Sequence, residues 1–145
     1  MKLVDVNVLV YVHRRDAPNH AAYLEWWTRA AAAQAFGISG VVLSGFLRVV
    51  THPKIFAPPS TLDSALRFVE EVRLHPNCVP VTPGTRHWDI FLHLCRMTRA
   101  AGNRIPDAYL AALAIESGSE WITTDRDYRR FPGLRWKHPL DGDID

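Results

Sequence analysis

Four aspartates of the chain stand beside apolar segments, where a charged side chain needs a partner. Asp5 interrupts the β-branched run LVDVNVLVYV, Asp107 follows Pro106 at the start of a helical segment, and Asp125 and Asp127 follow the segment EWITT. A carboxylate withdrawn from water is costly unless a cation or hydrogen-bond donors meet it. Carboxylate oxygens without His or Cys are the ligands that Mg²⁺ and Mn²⁺ prefer. If the fold brings these aspartates together, they form a divalent metal site.

Single aspartates at such positions also have structural explanations. Asp107 could stabilise a helix dipole, and Asp125 could form an Asx turn. Asp5 is harder to explain in this way, because alternation along an extended strand places Asp5 and Asn7 on the same side of an otherwise apolar strand. The structural explanation is therefore the better one for Asp107 or Asp125 alone, and the metal site rests on the whole set.

The segments that must position these residues alternate between strands and helices. The pattern predicts a first strand over residues 2–10 and later short strands in QAFGIS, CVPV, EWITT and LRW. Predicted helices cover HAAYLEWWTRAAAA, GVVLSGFLRVVTH, LDSALRFVEEVRLH, TPGTRHWDIFLHLCRMTRAAG and DAYLAALAIESG. This alternation favours a parallel sheet with helices on both faces. In such sheets functional groups gather beyond the carboxyl ends of the strands, so the aspartates are expected at one edge.

Several helix ends are predicted from single residues. Asn19 and either Ser60 or Thr61 are candidate N-caps, and Pro53 should stop the helix that precedes it. Gly102 is predicted to end the helix that contains HWDIFLHLC.

Length and composition indicate an ordinary globular chain. Its 145 residues predict a single domain over 1–145, with a tail that frays from about residue 138. Lys and Arg number 17 against 15 Asp and Glu, so net charge alone identifies no partner. Cys78 and Cys95 have no metal-ligand or disulfide spacing. With no membrane span and no signal peptide in the pattern, we expect a cytoplasmic protein.

Four segments in order, LVDVNVLVYV, LSGFLRVVTHPKIF, RIPDAYLAALAIESG and WITTDRDYRRFPGLRW, resemble the PIN domain, most closely the VapC ribonuclease toxins of bacterial toxin–antitoxin pairs. The resemblance implies a three-layer α/β/α fold with a central, mainly parallel sheet. It implies a Mg²⁺-dependent endoribonuclease, with Mn²⁺ as a substitute, that hydrolyses single-stranded RNA to products with a 5′-phosphate and a 3′-hydroxyl. The implied catalytic residues are Asp5, Asp107 and Asp125, which would hold the metal together with Asp127.

Residues near the aspartates have predicted roles from their own positions. Asn7 and Thr123 or Thr124 could orient the carboxylates. Arg48, on the same helical stripe as Gly45, could contact the scissile phosphate, and Arg126, beside the last acids, could guide the RNA backbone. The family resemblance implies two protein partners, a VapB-like antitoxin and a second copy of the chain in a homodimer.

One position departs from the family pattern. Many PIN domains carry a Glu in the helix VVLSGFLRVV where this chain has Gly45. The missing acid favours an alternative in which a degenerate PIN module binds RNA or a protein without cutting, whereas Asp5, Asp107 and Asp125 oppose it. A phospho-acceptor domain is a second alternative, but the acidic pair and the lysine that it needs at the strand ends are not present in the sequence.

Overall fold

The computed structural model describes residues 1–142, which form one five-stranded sheet flanked by six α-helices. The strands are β1 (Lys2–Val4), β2 (Phe36–Ile38), β3 (Cys78–Pro80), β4 (Glu120–Ile122) and β5 (Trp136–Lys137). The helices are α1 (Val6–His13), α2 (His20–Ala33), α3 (Gly40–Val50), α4 (Leu62–Arg73), α5 (His87–Thr98) and α6 (Arg104–Glu116). A short 3₁₀-helix covers Arg126–Arg130.

The sheet confirms the predicted α/β architecture. Its strand order is β3-β2-β1-β4-β5, and every pair is parallel. The chain moves outward from β1 to β3 and then crosses back to β4, so right-handed connections place α1–α4 on one face and α5–α6 on the other. In agreement, α1 packs against α2 and α3, and α5 packs against α6. The result is the expected three-layer α/β/α fold.

The first strand is much shorter than predicted. β1 ends at Val4, and the apolar run continues as α1, with Asp5 as its N-cap. The strand prediction over residues 2–10 was wrong because α1 is itself buried, with Val8 and Leu9 fully shielded from solvent. A helix buried on most sides carries an unbroken apolar, β-branched run, and tertiary packing overrides its strand propensity. Asp5 and Asn7 therefore face each other across the first turn of a helix.

Helix ends were predicted with mixed success. Thr61 caps α4 by accepting a hydrogen bond from the Ser64 N–H at 3.1 Å, as predicted. Asn19 occupies the N-cap position of α2, but its backbone is left-handed and its side chain makes no capping hydrogen bond. The prediction that Gly102 ends α5 was wrong: the helix ends at Thr98, and Arg99 takes the left-handed C-cap conformation at φ 51°.

The chain after β5 contacts the body of the molecule in its described part. Pro139 is buried, and Asp141 forms an ion pair with Arg126 at 2.9 Å. The remaining residues of the tail that was predicted to fray, 143–145, lie outside the described residues. Within residues 1–142, no helix has the length and apolarity needed to cross a membrane.

Candidate active site

The strand order reverses between β1 and β4, where a parallel sheet opens a crevice at its carboxyl edge. A cleft of about 770 Å³ lies there. Three of the predicted aspartates, Asp5, Asp107 and Asp125, line it. We call these three carboxylates the acidic wall. They come from the end of β1, the first turn of α6 and the segment after β4.

Asp5 lies at the base of the acidic wall. It is only 5% exposed, and its carboxylate accepts hydrogen bonds from the Val6 N–H at 2.7 Å, Thr123 Oγ1 at 2.7 Å and Asn7 Nδ2 at 3.2 Å. Burial raises the pKa of Asp5 from 3.8 to about 6, although the hydrogen bonds from Thr123 and Val6 oppose the shift. The nearby charges of Asp107 and Asp125 contribute a smaller part of this rise. Without a bound cation, the ionised form of Asp5 is therefore disfavoured by burial and by the neighbouring carboxylates.

The register of the sheet explains why Thr123 meets Asp5. Val4 pairs with Ile122, so the next residues of the two strands, Asp5 and Thr123, lie side by side. Thr123 Oγ1 donates to Asp5, and it accepts from Asn7 Nδ2 at 3.2 Å and from the Asp125 N–H at 3.0 Å. Asn7 and Thr123 therefore both hydrogen-bond to the Asp5 carboxylate, and their role in orienting metal ligands stays a prediction.

Thr124 joins the same network through its backbone. Its N–H donates to Asn7 Oδ1 at 3.1 Å, which fixes the orientation of the Asn7 amide toward Asp5. The Thr124 side chain makes no hydrogen bond that we find within residues 1–142. Any orienting role of Thr124 is thus a main-chain role.

Asp107 is held by a residue that sequence reasoning missed. The buried Tyr128 hydroxyl donates to Asp107 Oδ1 at 3.2 Å. Burial raises the pKa of Asp107; the Tyr128 hydrogen bond lowers it, and the charge of Asp125 raises it. Burial, and then the charges of the acidic wall, raise the pKa of Tyr128, so its hydroxyl stays a proton donor. The feature of the sequence that could have indicated a role for Tyr128 is its position three residues after Asp125, on the 3₁₀-helix that Asp125 caps.

Asp125 and Asp127 differ in their surroundings. Asp125 caps the 3₁₀-helix, accepting a hydrogen bond from the Asp127 N–H at 2.9 Å, and it lines the cleft. The Asp127 carboxylate lies 3.6 Å from the Arg130 guanidinium in a neighbouring groove outside the cleft. Its role as a metal ligand stays a prediction, and its main-chain support of Asp125 is the contact that the structure shows.

The opposite side of the cleft is formed by α3. Val41, Gly45 and Arg48 line it, one helical turn apart, and we call these residues the α3 wall. Gly45 thus borders the same cleft as the acidic wall, at the position where the resemblance leads us to expect an acid. A Cβ at residue 45 would lie 3.0 Å from Val6 Cγ2, so the missing side chain allows α3 to approach α1 closely. Arg48 brings a cation to this wall.

Arg126 lies elsewhere. Its guanidinium forms two hydrogen bonds to Asp141, at 2.9 and 3.0 Å, and it does not line the cleft. The contact with RNA predicted for Arg126 would require this pair to open.

The acidic wall has the chemistry of a divalent metal site. Within residues 1–142, no three His, Cys, Asp or Glu side chains are already drawn together around a shared ion position. The three carboxylates nevertheless line one cleft, and burial, with a smaller contribution from their mutual repulsion, raises the pKa values of Asp5 and Asp107. A hard cation relieves such repulsion, and oxygen-only ligands suit Mg²⁺ or Mn²⁺. Asp5, Asp107 and Asp125 therefore fit a metal by donor type and location.

The three-layer α/β/α fold, with an acidic cleft where the strand order reverses, places the chain among α/β proteins with a candidate metal site, and sequence comparison defines the family. The PIN domain family model matches residues 2–134. Ribonuclease VapC43 of Mycobacterium tuberculosis is 43% identical over 143 residues, covering 98% of this chain and 97% of the relative. Ribonuclease VapC25 of the same organism is 41% identical, covering 96% and 99%. The chain therefore belongs to the PIN domain family, among the VapC ribonucleases.

Solved structures support the fold. A chain in the crystal structure of VapBC2 from Rickettsia felis, bound to a DNA fragment from their promoter, superposes with a TM-score of 0.69. The match covers 94% of this chain and 96% of that chain, at 15% identity. Ribonucleases of the PIN family generally depend on divalent metal ions.

Proposed function

We propose that this protein is a Mg²⁺-dependent endoribonuclease, for which Mn²⁺ can substitute, and the toxin of a toxin–antitoxin pair. The reaction is hydrolysis of phosphodiester bonds in single-stranded regions of cellular RNA. The observation that carries the proposal is the convergence of Asp5, Asp107 and Asp125 on one cleft in a chain that belongs to the VapC ribonucleases. These three carboxylates are the proposed metal ligands.

Neighbouring residues hold the carboxylates of the cleft in place before RNA binds. Val6, Asn7 and Thr123 fix the Asp5 carboxylate, and Tyr128 fixes Asp107. Because Asp5 is withdrawn from water, its attraction for a cation is screened less than that of a surface carboxylate. A bound divalent ion would supply charge neutralisation at the phosphate and a more acidic water for in-line attack.

Arg48 is the proposed contact for the RNA backbone. It is an exposed cation on the α3 wall, facing the carboxylates across the same cleft. A guanidinium presents paired N–H donors that match phosphate oxygens. We propose that Arg48 binds a phosphate on the side of the cleft where the acid is missing.

The proposed protein partners are a VapB-type antitoxin and a second copy of the chain. The chain that superposes on this protein comes from VapBC2, a toxin–antitoxin complex, and this likeness supports an antitoxin partner. A homodimer follows from the family resemblance alone. Light scattering of the purified chain, alone and mixed with the product of the gene directly upstream if that gene encodes a small DNA-binding protein, tests both partners.

Cleavage of total bacterial RNA by the purified protein tests the central proposal. We expect cleavage with Mg²⁺ or Mn²⁺, none in EDTA, and recovery when the ion is restored. New ends mapped by sequencing should carry a 5′-phosphate. Cleavage that persists in EDTA would contradict the metal assignment, and binding without cleavage would identify the protein as a non-cutting PIN module.

A further inference from the structure

The cleft extends beyond the acidic wall to an apolar part that the proposed chemistry does not use. Tyr11, Ile55 and Phe56 line it, and we call these residues the aromatic end. Ile55 is 49% exposed, although it is a large apolar side chain. Together with the partly exposed rings of Tyr11 and Phe56, Ile55 forms a continuous apolar surface beside the charged site, and such a patch points to ligand binding.

Both rings of the aromatic end are held from behind. Tyr11 stacks on the buried Tyr23, with ring centroids 4.9 Å apart and an interplanar angle of 21°. The Arg14 guanidinium lies over Phe56, 4.2 Å from the ring centroid. Each ring thus has one face occupied by a packing partner and still borders the cleft. Rings that are fixed in advance lose little conformational freedom when a flat ligand contacts them.

We infer that the aromatic end binds an unpaired nucleobase of the RNA, next to the phosphate that the acidic wall receives. The inference rests on the proposed function, because the phosphate site is the proposed metal site. A nucleotide joins an anionic phosphate to a flat, largely apolar base, and this cleft joins a metal-binding end to an aromatic end. Base–aromatic stacking contributes about 1–3 kcal/mol per base and tolerates any base.

An apolar protein segment is the competing occupant of this surface. It would use Ile55 and the two rings, and a basic side chain on it could pair with the carboxylates, but it would leave the proposed metal without a phosphate to bind. The continuity of the two ends in one cleft favours the nucleotide.

Two small probes that differ only in the base test the inference. Adenosine 5′-monophosphate and ribose 5-phosphate are titrated into the protein in the presence of Mg²⁺, with binding followed by NMR. We expect the nucleotide to bind at least about fivefold more tightly than the sugar phosphate. Tyr11→Leu and Phe56→Leu each retain apolar volume but remove a ring, and each should lower this preference to less than about twofold.

Phe68→Leu is the matched control. Phe68 packs on Phe46 at 4.9 Å and lines a different groove, so its loss should leave the preference for the nucleotide unchanged. Equal binding of both probes to the natural chain would overturn the inference and leave a protein segment as the occupant. A preference that survives both Leu variants would also overturn it. Failure of the nuclease proposal is recognised separately, by the absence of RNA cleavage.

Discussion

The acidic wall and the α3 wall face each other across one cleft but are built by different means. On the acidic wall, every carboxylate accepts a hydrogen bond from a neighbour, and Asp5 accepts three. The α3 wall consists of one face of a helix, with an exposed Arg48 and a glycine at the centre. The acidic wall thus carries carboxylates held by hydrogen bonds, whereas the α3 wall carries an exposed cation and a glycine that packs closely on Val6. Substitutions should therefore have larger effects on the acidic wall than on the α3 wall.

The largest effect is expected from Asp107→Asn. Loss of residues that merely support metal ligands typically costs 10- to 100-fold, so loss of a ligand should lower RNA cleavage by more than about a hundredfold. The fold should persist, because one helix-end charge and one hydrogen bond are affected. Asp89→Asn is the control, since Asp89 occupies the first turn of α5 and is exposed. Equal activity of the two variants would remove Asp107 from the site.

The next effect concerns the free energy of unfolding without metal. Asp5 has a pKa of about 6 in the folded state and 3.8 as its ordinary value, so the folded chain binds the extra proton between these values. Stability should fall as pH rises from about 4 to 6, by on the order of 2 kcal/mol, and Mg²⁺ should restore it above pH 6. Thermal unfolding at several pH values, with and without Mg²⁺, measures this. Metal stabilisation that is the same at pH 5 and pH 7 would argue against Asp5 as a ligand.

A smaller effect is expected from Tyr128→Phe, which removes only the hydroxyl that holds Asp107. The ring contacts with Trp121 and Phe131 remain, so the fold should be preserved. We expect Mn²⁺ affinity, measured by calorimetry, to weaken about tenfold, with much of the cleavage rate recovered at saturating metal. A lower rate that excess metal does not restore would instead indicate a general loss of structure.

The smallest effects are expected on the α3 wall. Gly45→Ala gains about 1 kcal/mol of helix propensity but places its Cβ 3.0 Å from Val6 Cγ2, so the melting temperature should change little. Adding Val6→Ala should reveal the gain. Gly45→Glu should bind Mn²⁺ a few-fold more tightly than Gly45→Gln, because it returns an anionic ligand to the cleft. Equal affinities would show that residue 45 does not reach the ion.

The parallel sheet and most of the acidic wall could be predicted from the sequence. Strand and helix alternation predicted the parallel sheet, and three of the four aspartates fall on the cleft, because strand ends and helix starts meet at one edge. Asp127 was not separable from Asp125 by pattern, since only the turn of the 3₁₀-helix sends its side chain toward Arg130. α1 was mistaken for a strand because a helix that is buried on most sides carries a nearly continuous apolar run, which hides the helical periodicity.

The contacts of Tyr128 and Arg126 could not be predicted from the sequence around each residue. The hydrogen bond from Tyr128 to Asp107 joins residues 21 apart, and the pairing of Arg126 with Asp141 joins residues 15 apart. Such contacts depend on how α6, the 3₁₀-helix and the chain after β5 pack together. No local pattern encodes that packing.

The hydrogen bond from the Val6 N–H to Asp5 has a consequence for judging related sequences. Asp5 is the N-cap of α1 and bridges β1 to Thr123 after β4, so the fold uses a hydrogen-bond acceptor here whether or not RNA is cut. Asp and Asn both supply that acceptor, so an inactive relative could keep either residue at this position. Asp107 has a single side-chain hydrogen bond, from Tyr128, and its loss would cost the fold little. If Asp107 holds the metal as proposed, residue 107 is therefore a more informative marker than residue 5 for separating active members of this family from inactive ones.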